Sequence, residues 1–252
     1  MIQRFVKFFE NYGFSLPVIS NLFLGSPFKI YEFEQLFKGV KFKKNGNLLD
    51  FGCGFGRNSI KFSRYVKKVV GIDIDGTKIV YAKKLLKFHN YKNNVEFAKI
   101  NILEDNIEKW KNYFDHIISI CVFEHVQQIK ETLIKLNQIS KIGGEIHISV
   151  DSLQNGFDQS LIDMHIKRCY IEQYFTCDSL KDLLASTGFE VVEIFPILKG
   201  DFAKRKFEER IINSSRYNLI SQMIAKRKFQ MEDQELSNND KGIFIIARAV
   251  KV

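Results

Sequence analysis

The chain has 252 residues, 45% of them hydrophobic and 27% charged, with a formal net charge of +9. That length suits one α/β domain with elaborations. The lack of any apolar run of about 18 residues argues against a membrane-spanning helix, and the mixed start MIQRFVKFF has no signal-peptide pattern. The charge points either to an anionic partner (nucleic acid, a phosphorylated metabolite, an acidic membrane face) or to drift in a Lys- and Asn-rich composition.

Residues 1–45 precede any sheet pattern and are expected to form an N-terminal helical cap. From residue 46 onward short apolar runs alternate with helical-period segments. Strands are expected at 47–51, 68–74, 95–100, 115–122, 145–150, 189–196 and 242–251. Helices are expected at 57–65, 77–88, 130–139 and 179–186. The third of these is stopped by Gly143 and Gly144; the last is capped by Thr176 or Asp178 and stopped by Gly188. A basic, helix-like stretch at 202–230 lies in an insert at about 201–240. Strands separated by helices imply right-handed crossovers and a doubly wound, mostly parallel α/β sheet of the Rossmann-like kind. Ligands of such sheets sit at the C-terminal strand ends, near a switch in strand order.

The strongest local signal is DFGCGFG over residues 50–56, between the first strand and its helix. Glycines turn the backbone sharply and admit a ligand where a Cβ would stand. The following helix start offers free N–H groups to a carboxylate or phosphate. Asp73 follows 17 residues after Gly56, at the end of the second strand. A carboxylate there accepts hydrogen bonds from both hydroxyls of a ribose. Asp75 is the competing acid and reads as the cap of the next helix. A dinucleotide fingerprint needs a third glycine where this chain has Arg57, so NAD is disfavoured.

In these residues the chain resembles the class I S-adenosylmethionine-dependent methyltransferases, most of all the small-molecule group that includes ubiquinone and menaquinone biosynthesis enzymes. The motifs are LLDFGCGFGRNSIKFS, GIDID, VEFAKINI, FDHIISICVFEHV, KIGGEIHIS and YFTCDSLKDLLASTGFEVVEI. They cover roughly residues 46–195, and the last strand matches again at 242–251. The resemblance implies an S-adenosylmethionine-binding domain over 46–252. By position, Asp50, Gly52, Cys53, Gly54 and Gly56 would hold the methionyl part. Asp73 would hold the ribose, with Ile74 against the adenine. Asn101, where the family usually has Asp, and Ile102 would meet the adenine edge and face, and Cys121 closes the cofactor side.

Methyl transfer from a sulfonium asks the protein mainly to align donor and acceptor, with a base where the acceptor carries a proton. His125, Asp151 and His165 are the candidates, at strand ends or in the loops beyond. A cofactor-pocket role for His125 and a loop-cap role for Asp151 are the alternatives. Glu124, Arg168 and Tyr170 are expected on the acceptor side. His147 and His89 read as structural. Cys121 as a nucleophile is disfavoured: no proline precedes it, and it sits on a strand.

The four cysteines, Cys53, Cys121, Cys169 and Cys177, form no C-x-x-C pair, so no metal site is expected and reduced thiols in the cytoplasm are. Residues 201–230 hold eight Lys or Arg against three Asp or Glu. With Ile211, Ile212, Leu219, Ile220, Met223 and Ile224 they read as an amphipathic helical pair. This pair is either a solvated face or a patch for an anionic acceptor, RNA or lipid. The expected function is methyl transfer to oxygen or nitrogen of a small acceptor, anionic through phosphate or sugar. An RNA methyltransferase and a non-catalytic nucleoside-binding protein are the competing readings, nucleic acid not being favoured.

Overall fold

The computed structural model describes residues 26–88, 94–154, 156–213, 217–236 and 241–252. Seven strands build one sheet: β1 (Asn47–Phe51), β2 (Lys68–Asp73), β3 (Val95–Lys99), β4 (Phe114–Ile120), β5 (Ser140–Asp151), β6 (Phe189–Ile197) and β7 (Phe244–Lys251). Their order is β3-β2-β1-β4-β5-β7-β6. The first five pair in parallel, and β7 runs antiparallel between β5 and β6. The helices are α1 (Pro27–Leu36), α2 (Arg57–Phe62), α3 (Gly76–Phe88), α4 (Ile129–Ile139), α5 (Gln159–Cys169), α6 (Cys177–Ser186), α7 (Asp201–Asn213) and α8 (Leu219–Glu235).

Central strands buried on both faces read as continuous apolar runs, which is why NLLDF and FDHIISI stand out in the sequence. The pleat sends neighbours to opposite sides. Leu49, Val70 and Ile117 join one core with Leu133 of α4 and Leu180 of α6. Leu48, Val69 and Ile118 join another with Ile60 of α2 and Ile79 of α3. A third cluster packs Phe28 of α1, Phe207 of α7 and Phe229 of α8 on Phe244 of β7. Strand order reverses between β1 and β4, so the crevice for a ligand opens at their C-terminal ends.

The expected elements are present, with shifted boundaries. Helix α4 ends at Ile139 with Ser140 as its C-cap, and β5 begins at once. Gly143 and Gly144 therefore do not stop a helix. They lie where the β4–β5 register jumps from Phe114↔Ser140 to His116↔Glu145, and Gly143 has φ 71°, the mark of a bulge. The fourth strand ends at Ile120, before Cys121. The helix at 57–65 stops at Phe62, and the 202–230 stretch divides into α7 and α8. Thr176 caps α6 in a reciprocal capping box with Ser179. Of the N-terminal cap only the part from residue 26 is described, and His89 also lies outside the described residues. Among the described residues no helix is long and apolar enough to cross a membrane.

Candidate active site

The glycine loop runs from β1 into α2. Asp50 is buried, and the Ser59 hydroxyl donates to it at 2.5 Å, tying β1 to the first turn of α2. Burial pushes the Asp50 carboxyl up to about 6, with the Ser59 hydrogen bond working in the opposite direction. Gly52, Gly54 and Gly56 all have positive φ. A Cβ on Gly52 would stand 2.5 Å from Val122 Cγ2, and one on Gly56 2.4 Å from Phe97 Cζ. A Cβ on Gly54 would meet nothing within 4 Å. Two glycines thus allow the loop to pack down and the middle one faces open space.

Asp73 is fixed by two backbone donors: the Gly54 N–H at 2.8 Å and the Asp75 N–H at 2.9 Å. Its carboxylate lies across the glycine loop. Asp75 caps α3, accepting from the Thr77 N–H at 2.8 Å. Ile74 is 70% exposed beside this carboxylate, whereas Ile102 is 4% exposed and belongs to the core. Of the two apolar residues expected at a flat ring, only Ile74 presents an open surface. The Asn101 side-chain oxygen accepts from the Leu103 N–H at 3.1 Å, which leaves its second lone pair. Cys53 is buried, its N–H bonded to the Ile72 carbonyl at 2.9 Å.

At the ends of β4 and β5 a dense polar cluster forms. Cys121 has φ 49°, so the chain turns sharply at the end of β4 into a short 3₁₀ turn, Phe123–His125. That turn is held from outside: the Glu172 N–H donates to the Glu124 carbonyl at 2.8 Å and the Gln173 amide to the Val126 carbonyl at 2.9 Å. The turn drives the Glu124 side chain inward, where it is 0% exposed. Asp151 ends β5, buried, with His165 Nε2 at 3.6 Å. The other ring nitrogen of His165 lies 2.9 Å from the Tyr174 hydroxyl.

Two members come from α1. Lys29 Nζ donates to Cys121 Sγ at 2.7 Å and pairs with Glu32 at 2.9 Å. Cys121 donates its S–H to Glu32 at 2.9 Å, and the Ser149 hydroxyl donates to the same carboxylate at 2.5 Å. Sequence reasoning missed Lys29 and Glu32. The only local signal is a charged pair three apart in PFKIYEFEQL, common on any helix.

Burial, then the nearby charge of Asp151, raises the Glu124 carboxyl well above the carboxylate range. Burial also pushes Asp151 up to about 6, although Lys29 opposes it. It holds His165 down at about 4, so that ring is neutral near pH 7. Cys121 is raised well above an ordinary thiol, by burial first. A carboxylate poised near 6 is the better proton acceptor here than an imidazole held near 4.

His125 is exposed. Its Nδ1 lies 3.1 Å from the Tyr170 carbonyl, which only accepts, so the proton sits on Nδ1. Tyr170 ends α5 in the left-handed region and is 82% exposed. Arg168 donates to the Ile211 carbonyl at 2.6 Å, tying α5 to α7. The structure thus gathers Cys121, Glu124, Asp151 and His165, leaves His125 and Tyr170 at the surface, and uses Arg168 in packing. A separate group, His116, Glu145 and His147, spans β4 and β5, with Glu145 Oε2 3.3 Å and 3.2 Å from the two rings. His116 Nε2 accepts the Lys43 N–H at 3.0 Å. The neutral ring therefore carries its proton on Nδ1, facing Glu145, and offers no metal ligand there.

A family model described as a methyltransferase domain matches residues 30–194, more than half of the chain, and the chain belongs to that family of class I S-adenosylmethionine-dependent methyltransferases. It is 36% identical over 110 residues to the mitochondrial ubiquinone biosynthesis O-methyltransferase of Dictyostelium discoideum, covering 41% of this chain and 34% of that one. It is 30% identical over 115 residues to the arsenite methyltransferase of Rattus norvegicus, covering 42% and 31%. The matched stretch spans about a third of the length of these relatives. The S-adenosylmethionine-dependent methyltransferase of Mesorhizobium loti superposes with a TM-score of 0.63 at 13% identity, over 88% of this chain and 98% of that one; that likeness speaks to the fold.

Proposed function

We propose that this chain transfers a methyl group from S-adenosylmethionine to an oxygen or nitrogen of a small acceptor, with Asp151 taking the acceptor's proton. The observation that carries this reading is the juxtaposition across Gly52 and Val122. The glycine loop packs directly on the residue that follows Cys121, so a ligand seat and a buried carboxyl cluster meet at one crevice. The loop fits the cofactor. Gly54 leaves open a space that a side chain would fill, Asp73 is oriented beside it, and Ile74 presents an apolar surface. Asp50, Gly52, Cys53, Gly54 and Gly56 would hold the methionyl part and Asp73 the ribose. Ile74 and Asn101 would line the adenine end over Ile102 of the core, with Cys121 below. When bound, the cofactor supplies an electrophilic methyl group, and alignment is the protein's main task.

Asp151 is ionised near pH 7 and buried enough to hold a proton when one is offered. The names of the relatives run from ubiquinone biosynthesis to arsenite, so the acceptor is argued from the site. Three carboxyl groups disfavour a negative charge at the reacting end. Phosphate or sugar groups, consistent with the +9 charge, would lie toward the basic residues of α7 and α8. Residues 1–45 would act as a cap on the 46–252 methyltransferase unit, and the four free thiols support a reducing, cytoplasmic setting.

Calorimetric titration tests the reading. S-adenosylmethionine is expected to bind at micromolar strength and NAD not at all, with Asp73→Ala weakening the former at least about tenfold, the loss of a charge-assisted ribose contact. Equal binding of both ligands, or an unchanged Asp73→Ala, would overturn it.

A further inference from the structure

Glu32, Glu124 and Asp151 converge at the C-terminal ends of β4 and β5, and two of them have partners. Glu32 receives Lys29, the Cys121 thiol and the Ser149 hydroxyl. Asp151 faces His165. Glu124 stands apart: neither of its carboxyl oxygens has a hydrogen-bond partner among the described residues, and both are fully buried. A Glu124 oxygen, an Asp151 oxygen and Cys121 Sγ all lie within 4.8 Å of one another.

A buried carboxyl without a partner is costly, and a site that keeps one is completed by a ligand. The missing member is a cation, because the local cations are committed. Lys29 is held by Glu32 and Cys121, and Arg210 lies over the Phe28 ring at 5.8 Å. A thiolate-bound divalent metal fits poorly, whereas one held by carboxylate oxygens alone is decided by the magnesium probe below. The former would need Cys121 as a thiolate, yet this thiol donates its proton to Glu32 and has the Lys29 ammonium 2.7 Å away. An organic ammonium fits. Two tetrahedral N–H bonds of about 2.8 Å from one nitrogen reach oxygens about 4.6 Å apart, and a Glu124 oxygen and an Asp151 oxygen lie within 4.8 Å of each other.

We propose that Glu124 and Asp151 seat the ammonium group of an amine acceptor, which makes nitrogen the methylated atom: one ammonium proton would pass to Asp151 and free the lone pair, and as the carbon–nitrogen bond forms the methyl–sulfur bond would break, its electron pair leaving with S-adenosylhomocysteine. This rests on the methyl-transfer reading above and narrows it.

The test is thermal melting of the full chain saturated with S-adenosylhomocysteine. The probes are propylammonium chloride, 1-propanol and magnesium chloride, at ionic strength matched with sodium chloride. Propylammonium is expected to raise the melting temperature at concentrations at least about tenfold below 1-propanol, the equivalent of one charge-assisted hydrogen bond. The preference is expected to vanish in Glu124→Gln, a near-isosteric change whose S-adenosylhomocysteine affinity stays at the wild-type value. Equal responses to propylammonium and 1-propanol would overturn the proposal, as would a preference that survives in Glu124→Gln. Stabilisation by magnesium that is lost in Glu124→Gln, with propylammonium inert, would reassign the seat to a metal. The same melts without S-adenosylhomocysteine read the ammonium seat directly, so a chain that fails to bind that nucleoside sinks the methyl-transfer reading and leaves the seat to be judged separately.

Discussion

Gly54 and Gly56, two residues apart, are asked for different things. Both have positive φ, at 53° and 74°, so a side chain at either costs about 1–2 kcal/mol in backbone strain. At Gly56 the new Cβ would also meet Phe97 and Ala82, the latter at 2.8 Å, and overpacking adds about 1–3 kcal/mol. Gly54→Ala should therefore stay within about 2 kcal/mol of wild type in urea unfolding while losing most of its S-adenosylmethionine affinity. Gly56→Ala should lose the larger share of stability. Equal stability losses would show that the Gly54 space is not a ligand cradle. The glycine loop and Asp73 were legible in the sequence because backbone chemistry leaves a short-range pattern. Lys29 and Glu32 were not: their contacts with Cys121 and Ser149 bridge 89 to 117 residues, and no local spacing encodes such a meeting. The inward turn of Glu124 was equally hidden, because it depends on hydrogen bonds from residues 172 and 173.

Helix α1 decides whether the N-terminal region is an appendage or part of the body. Phe28 packs on Phe229 at 4.8 Å with the rings tilted by 33° and meets Phe207 edge-on at 5.7 Å. The Tyr31 hydroxyl donates to Asp233 at 3.0 Å, and Lys226 pairs with Glu34 at 2.7 Å. Arg248 of β7 reaches the last carbonyls of the helix, donating to Gln35 at 2.7 Å and Leu36 at 3.0 Å, as a cation suits a helix C-terminus. Removing residues 1–36 would bare Phe229 and Phe244 and strip Cys121 and Ser149 of their contacts with Lys29 and Glu32. We expect that truncation to lower the urea midpoint by the equivalent of several kcal/mol, since each buried aromatic lost costs about 3–5 kcal/mol. A truncated chain with an unchanged midpoint would make α1 a detachable cap. Element types were readable from periodicity, but ends were not. The glycine pair looked like a helix stop because a bulge and a stop use the same residue, and 202–230 looked continuous because its apolar spacing runs through the break.

Across the whole molecule, buried groups set opposing pH dependences. Asp50 and Asp151 are both raised from 3.8 to about 6 by burial. The folded state holds these protons more tightly than the unfolded chain, so their contribution to stability is full below about pH 4 and lost as pH rises to 6. His116 and His165 are lowered from 6.5 to about 4, again by burial first. Their contribution has the reverse sign, present above 6.5 and lost as pH falls to 4. The two pairs offset each other over one window, while Glu124, raised further by burial, adds to the side of Asp50 and Asp151. Asp151→Asn removes one side of the balance. Relative to wild type it should be neutral at pH 4 and more stable by about 3 kcal/mol above pH 6.5, two pH units at about 1.4 kcal/mol each. Its methyl transfer should fall sharply. Melts at both pH values check this, and a difference independent of pH would remove Asp151 from the titrating set.

In the proposed reading the nucleoside seat draws on residues 50–102, whereas the acceptor end draws on Lys29 and Glu32 of α1 and on residues after 120. In that reading the two inventories share only Cys121 among the described residues and meet where Gly52 touches Val122. Chimeras that exchange the stretch of α1 together with the 121–175 region can therefore swap substrate preference between lineages while inheriting the methyl donor intact.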